Sequence, residues 1–179
     1  MTNIKRYRLL DFLIYFVLLF IAYILQTSNI LFEYNSPSPS LILAIVLTVS
    51  FFENYWFSAV FGLAGGILID TASADGSGYH ALIYMLVGLI CSLILESVFQ
   101  NNFASFAVVS VPVILINMFI DIILKIGFTD GIFSLFFKFY LLVAIYTFAA
   151  AFILYLIFRF TIKKDDRFKK PKGIISNNK

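Results

Sequence analysis

Apolar residues run along this chain in blocks divided by short polar breaks. The first block runs from Leu9 to Leu25 behind a basic start, Lys5, Arg6 and Arg8. That charge order resembles a signal peptide, but the exit Ile24-Leu25-Gln26-Thr27 offers no small-x-small cleavage site, so an uncleaved first helix running to about Thr27 is expected. A polar break carries Glu33, Asn35, Ser36, Pro37, Ser38 and Pro39. The next block, Leu41–Ile69, is interrupted at Glu53 and Asn54. As one helix it would be about 44 Å long, well over the roughly 30 Å hydrocarbon core. The pattern therefore predicts two short helices, Pro39–Phe52 and Tyr55–Thr71, with a re-entrant hairpin as the competing reading. After the polar loop Ala72–Gly78, a fourth helix fits His80–Glu96, and Gln100, Asn101 and Asn102 mark a turn. A fifth fits Phe103–Lys125, with Pro112 inside it as a kink or weak point. The loop Gly127–Gly131 contains Asp130, and a last helix covers Ile132–Phe160.

Composition agrees with the pattern. Of 179 residues, 61% are hydrophobic and 13% charged, with 22 phenylalanines and 10 tyrosines. A soluble core of this size cannot take up so much apolar surface. The expected fold is all-α, a polytopic membrane bundle of six transmembrane helices over residues 1–162. Residues 163–179 form a basic cytoplasmic tail, with Lys163, Lys164, Arg167, Lys169, Lys170 and Lys172 against Asp165 and Asp166. Lysine and arginine flank a span at both ends of the chain, so both ends are placed in the cytoplasm, which requires an even number of crossings. The tail is explained by contact with anionic lipid headgroups.

The rare polar and small residues are the candidate functional positions. Ala59, Gly62, Gly65 and Gly66 give the third helix a small-residue surface on which another backbone can pack closely, either within the bundle or from a partner helix or lipid. Asp70 ends that helix. With Asp75, Gly78 and His80 it belongs to an outer loop, DTASADGSGYHA, in which Asp70 either fixes the loop or takes part in recognition. Thr71, Ser73 and Ser77 are its candidate donors, and His80, the only histidine, is expected to cap or anchor the fourth helix. In the fifth helix Asn117 lies mid-span, where an amide seeks a neighbouring helix. Asp121 and Lys125 stand four apart in the favourable acid-before-base order, and with Lys138 they predict an ionic cluster between the last two helices. Glu53 and Glu96 are expected to face solvent at the inner side.

Enzymatic signatures are missing. The sequence contains no phosphate-binding loop, no HExxH and no persuasive Ser–His–Asp set, and the single Cys91 excludes an internal disulfide or a multi-cysteine metal site. No catalytic residue, cofactor or metal is assigned, and nothing resembles a nucleic-acid module. Function is expected to reside in the bundle and its short loops, either as a scaffold for other membrane proteins or as a small-molecule binder.

Several motifs occur together in a familiar order. Leu25-Gln26-Thr27 ends the first helix, Pro39-Ser40-Leu41 leads the second, and the glycine-rich third closes on Asp70. The run GYHALIYMLVG then supplies Gly78, His80, Ala81, Leu82, Tyr84 and Gly88. In these features the chain resembles the bacterial rod shape-determining MreD family, which often has Pro-Asp where this chain has Pro39-Ser40. The resemblance implies a non-enzymatic membrane scaffold of the cell-elongation machinery. Its partners would be MreC and, directly or indirectly, MreB, RodA and a PBP2-type transpeptidase, in the bacterial inner membrane; homo-oligomerisation is left open. The family also resembles the six-helix substrate-binding subunits of energy-coupling-factor transporters, so a vitamin-like or lipid ligand is the alternative. Against it, the first helix carries only Ala22 where those subunits show Ala-x-x-x-Ala.

Overall fold

The computed structural model describes residues 2–28, 39–72, 78–97, 103–126 and 141–162. These form six α-helices: α1 Thr2–Thr27, α2 Leu41–Phe52, α3 Tyr55–Ala72, α4 Tyr79–Ser97, α5 Phe103–Ile126 and α6 Leu141–Ile162. The expected Ile132–Phe160 helix is therefore described from Leu141 onward. Asp75, Lys138 and the basic tail from Lys163 lie outside the described residues. Pro112 sits inside α5, which continues through it.

α2 is the hub. Every residue from Ile42 to Phe51 is buried, and α2 touches each of the other five helices. At 12 residues it is about 18 Å long, short of the hydrocarbon thickness. Burial on all sides explains its composition, LILAIVLTVSFF, in which Thr48 and Ser50 satisfy their hydroxyls on the carbonyls one turn back. The outer helices bury one stripe and leave the rest bare. In α1 the buried set is Tyr15, Leu19 and Ala22, at helical spacing, while Leu13, Val17, Phe20 and Ile24 are exposed. Leu82, Leu86 and Ile90 of α4 and Ile145, Ile153 and Ile157 of α6 repeat the pattern.

Three helices are long and apolar enough to cross a membrane: α3, and the Phe103–Ile123 and Leu141–Phe160 parts of α5 and α6. The apolar parts of α1, α2 and α4 are shorter. Near the α2–α3 turn, aromatic rings bind the elements together. Tyr155 of α6 stacks on Phe106 of α5 at 4.7 Å and meets Phe51 of α2 edge-on at 5.1 Å, while Tyr15 of α1 lies 5.2 Å from Phe158 of α6. Glu53, expected to face solvent, is half-buried in this turn. It accepts a hydrogen bond from the Tyr15 hydroxyl (3.2 Å), and its carbonyl accepts one from Ser92 (2.9 Å). A turn of only two residues between a buried helix and α3 cannot push its side chains clear of the neighbouring α1 and α4.

Candidate functional site

α3 and α4 form the closest pair in the bundle. Along their antiparallel seam Gly66 opposes Ala81, Gly62 opposes Tyr84 and Met85, and Ser58 and Ala59 oppose Gly88. A Cβ on Gly62 would collide with the Tyr84 carbonyl, one on Gly66 with the His80 carbonyl and the Ala81 backbone, and one on Gly88 with the Ser58 carbonyl. The obstacle in each case is backbone, which cannot turn aside as a side chain can. The small-residue surface read from the sequence is thus occupied by α4 of the same chain. Gly65 faces the other way, toward Ile42, Val46 and Leu19 of α2 and α1. Tyr84 and Gly88, grouped with the outer loop in the sequence reading, sit within α4 on its packed side, Tyr84 fully buried.

At the end of this seam Asp70 caps α4 from the neighbouring helix. Its Oδ2 accepts the Ala81 N–H at 2.9 Å, and its Oδ1 accepts the His80 N–H at 3.3 Å and the His80 ring Nδ1–H at 2.8 Å. These amides belong to the first turn of α4, where backbone donors have no intrahelical partner and a negative charge is favoured by the helix dipole. The residue preceding the helix, Gly78, has φ +70° and no side chain, so it cannot cap α4 itself. The loop donors expected for Asp70 are not used among the described residues: Thr71 donates instead to the Leu68 carbonyl. Ser73 and Ser77 lie outside them.

His80 carries the arrangement across to α5. With Nδ1 on Asp70, its Nε2 faces Asp121 Oδ1 at 3.8 Å, and its ring is covered by Tyr79 at 3.8 Å between centroids. His80 and Asp70 are both buried. Asp121 thus approaches α4; of the cluster expected with Lys125 and Lys138, Lys138 and the side chain of Lys125 lie outside the described residues. Asn117, one turn before Asp121, faces the Tyr84 hydroxyl together with it.

A second group of contacts went unread in the sequence. The N-terminus of α2 is fixed by four side chains from four helices or their caps. Ser40 accepts the Leu43 N–H at 3.3 Å as an N-cap, and its hydroxyl meets that of Tyr84 at 2.9 Å. The Ser40 N–H donates to Thr147 of α6 (3.2 Å), and the Ile42 N–H donates to Gln26 of α1 (3.2 Å). Gln26 and Ser40 belong to the motifs quoted above; a serine directly before an apolar helical run is the signal that identifies the cap. Thr147 carries no comparable sequence signal.

The result is one polar layer across the end of the bundle opposite the N-terminus, in which Gln26, Ser40, Asp70, His80, Tyr84, Asn117, Asp121 and Thr147 draw all six helices together. Among the described residues no group of three His, Cys, Asp or Glu is arranged to hold a metal ion. Hydrogen bonds of this layer terminate on helix ends, which suits a rigid frame. No curated protein and no solved structure matches the chain. Residues 6–164, which take in the greater part of all six helices, match the family of the rod shape-determining protein MreD. The chain therefore belongs to the MreD family, the non-enzymatic membrane scaffolds of the bacterial cell-elongation machinery.

Proposed function

We propose that this bundle holds MreC by a lateral face, while its polar layer keeps the six helices in fixed register. All six helices cross the inner membrane in this reading, both termini lie in the cytoplasm, and residues 163–179 form the basic cytoplasmic tail. α2 crosses as a short span shielded by its neighbours, so it need not match the bilayer itself. The observation that carries the reading is the occupied glycine seam. Because α4 fills the close-approach surface of Gly62 and Gly66, a partner helix is left the exposed apolar sides of α1, α4, α5 and α6 and the outer side of α3 at Trp56, Val60 and Ile67. Transmitting position then requires only that the partner-binding face be rigid, and the shared polar and aromatic contacts supply that. MreB, RodA and a PBP2-type transpeptidase join through this complex.

The test is native co-purification of the tagged chain in mild detergent, with cysteines placed singly at exposed Val17 on α1, Leu86 on α4 and Ile145 on α6 for crosslinking. Stoichiometric MreC, crosslinked from one of these faces, is the expected result. Paired ATPase subunits with a large coupling membrane protein, in place of MreC, would refute it in favour of a transporter subunit.

A further inference from the structure

Two sides of this bundle differ in the height of the apolar surface they present. On α6 the exposed side chains run from Leu141 through Ile145, Ile153 and Ile157 to Phe160, over about 28 Å of helix axis. That height fits a hydrocarbon core of roughly 30 Å. The α3–α4 hairpin falls short of it. On α4 the exposed set runs from Leu82 through Leu86 and Ile90 to Ile94, about 18 Å, and on α3 Trp56, Val60 and Ile67 cover about 17 Å. Polar groups close the face at both ends. Thr71 is exposed four residues beyond Ile67, beside the contact of Asp70 with His80, and Asn54 is exposed at the opposite turn. Trp56, 69% exposed next to that turn, has the place and character of an interfacial anchor.

A short apolar face can be accommodated in few ways. Tilting lowers its height further. Snorkelling needs long basic side chains, and the sequence has no lysine or arginine between Arg8 and Lys125. Nor can α3 and α4 slide apart to lengthen the face, because backbone meets backbone at Gly62, Gly66 and Gly88. The adaptation falls to the lipid. We infer that the exposed α3–α4 face binds a locally thinned bilayer, its hydrocarbon up to roughly 10 Å thinner than at α6, and selects phospholipids with short acyl chains. The bilayer then changes thickness around a single small bundle. This inference rests on the six-span topology proposed above and not on the choice of protein partner.

Trp56 is the only tryptophan, so its fluorescence reports the lipid at this face. The full chain is reconstituted in mixtures of dioleoyl phosphatidylcholine and brominated dimyristoleoyl phosphatidylcholine, and quenching is followed against composition. The shorter lipid should be enriched about 2–5-fold beside Trp56. With the reporter moved to α6, by Trp56→Phe and Ile153→Trp, no enrichment should be seen. Thr71→Leu with Ala72→Leu lengthens the apolar face of α3 and should reduce the enrichment at Trp56. A membrane-impermeant maleimide in sealed vesicles checks the crossing, with Asn54→Cys and Thr71→Cys placed singly; the native Cys91 is buried. Labelling from opposite sides, with the same lipid composition at Trp56 and at α6, would overturn the thinning and leave the topology intact. Labelling of both from one side would refute the two together. A Trp56 shielded from every brominated lipid would overturn the inference in favour of a second copy of the chain covering this face.

Discussion

Gly62→Ala is a one-methyl change whose cost follows from the seam. The added Cβ would stand 2.7 Å from the Tyr84 carbonyl carbon, where ordinary contact begins at 3.4 Å, so α3 and α4 must separate by at least about 0.7 Å (3.4 − 2.7). A gap of that size forfeits roughly a quarter to a half of the dispersion attraction between facing atoms. The same displacement lengthens the Asp70 bonds to His80 and Ala81, now 2.8–3.3 Å, toward or beyond hydrogen-bond range. Overpacking costs about 1–3 kcal/mol and a weakened cap about 0.5–2 kcal/mol, which together put the destabilisation at about 1.5–5 kcal/mol. Gly65→Ala is the control: its Cβ meets the Ile42 methyl at 2.9 Å, a side chain that can shift, and the cost should stay below about 1.5 kcal/mol. Cys91 supplies the assay. It is the chain's only cysteine and is buried, so a thiol-reactive fluorophore reads unfolding directly. Equal, small shifts for the two variants would show that α3 and α4 do not approach as closely as described.

Two further predictions concern the polar contacts at either end. Tyr84→Phe removes the 2.9 Å hydroxyl pair at about 1 kcal/mol, Ser40→Ala removes it together with the cap on Leu43 at about 1.5–3 kcal/mol, and a double-mutant cycle read by the same thiol assay should show them non-additive. Additive costs would mean the two hydroxyls act separately. Tyr15→Phe deletes the bond to Glu53 while keeping the ring that lies against Phe158, so it should cost about 0.5–1.5 kcal/mol, whereas Tyr15→Ala should cost about 3–5 kcal/mol. Similar losses would place the weight on the hydroxyl rather than the ring.

Hydropathy made most of the fold legible, because apolar blocks broken by charged or amide residues can only be helices in this setting. The interruption at Glu53 and Asn54 marked the α2–α3 turn correctly, and the helix limits agree to within a few residues except at the start of α1 and at the described start of α6. Pairwise packing was less legible. The spacing of Gly62 and Gly66 announces a close approach without saying whose backbone approaches, since a helix of the same chain and a partner's helix present the same surface. Gly65 was grouped with them by proximity in sequence, although one residue is a 100° turn of the helix and points it to α2. The tertiary contacts of His80 and Thr147 were not legible at all, because their partners are distant in sequence.

The role of Asp70 yields the sharpest separation between a cap and a bare charge. A helix normally caps itself with a side chain at the residue before its first turn, held in an extended backbone conformation. Here that residue is Gly78, which has no side chain and stands at φ +70° rather than in the extended conformation of a cap; a Cβ built there has nothing within 4 Å. The cap must come from elsewhere, and Asp70 provides it across the seam. Asp70→Ala should therefore cost about 1–2 kcal/mol, and more if the His80 ring also loses its position. Gly78→Asn meets nothing within 4 Å and is among the few side chains tolerant of a left-handed backbone, so it should fold at a cost of about 1 kcal/mol or less. It should not rescue Asp70→Ala, because at a left-handed φ the residue is not in the extended conformation from which a cap side chain meets the first turn. Asp70→Asn keeps an acceptor oxygen for one of the two amides but loses the charge, and should fall between wild type and Asp70→Ala. If Gly78→Asn restored the stability of Asp70→Ala, the loop would be able to reach a normal cap, and the requirement for Asp70 would not arise from the geometry of the turn.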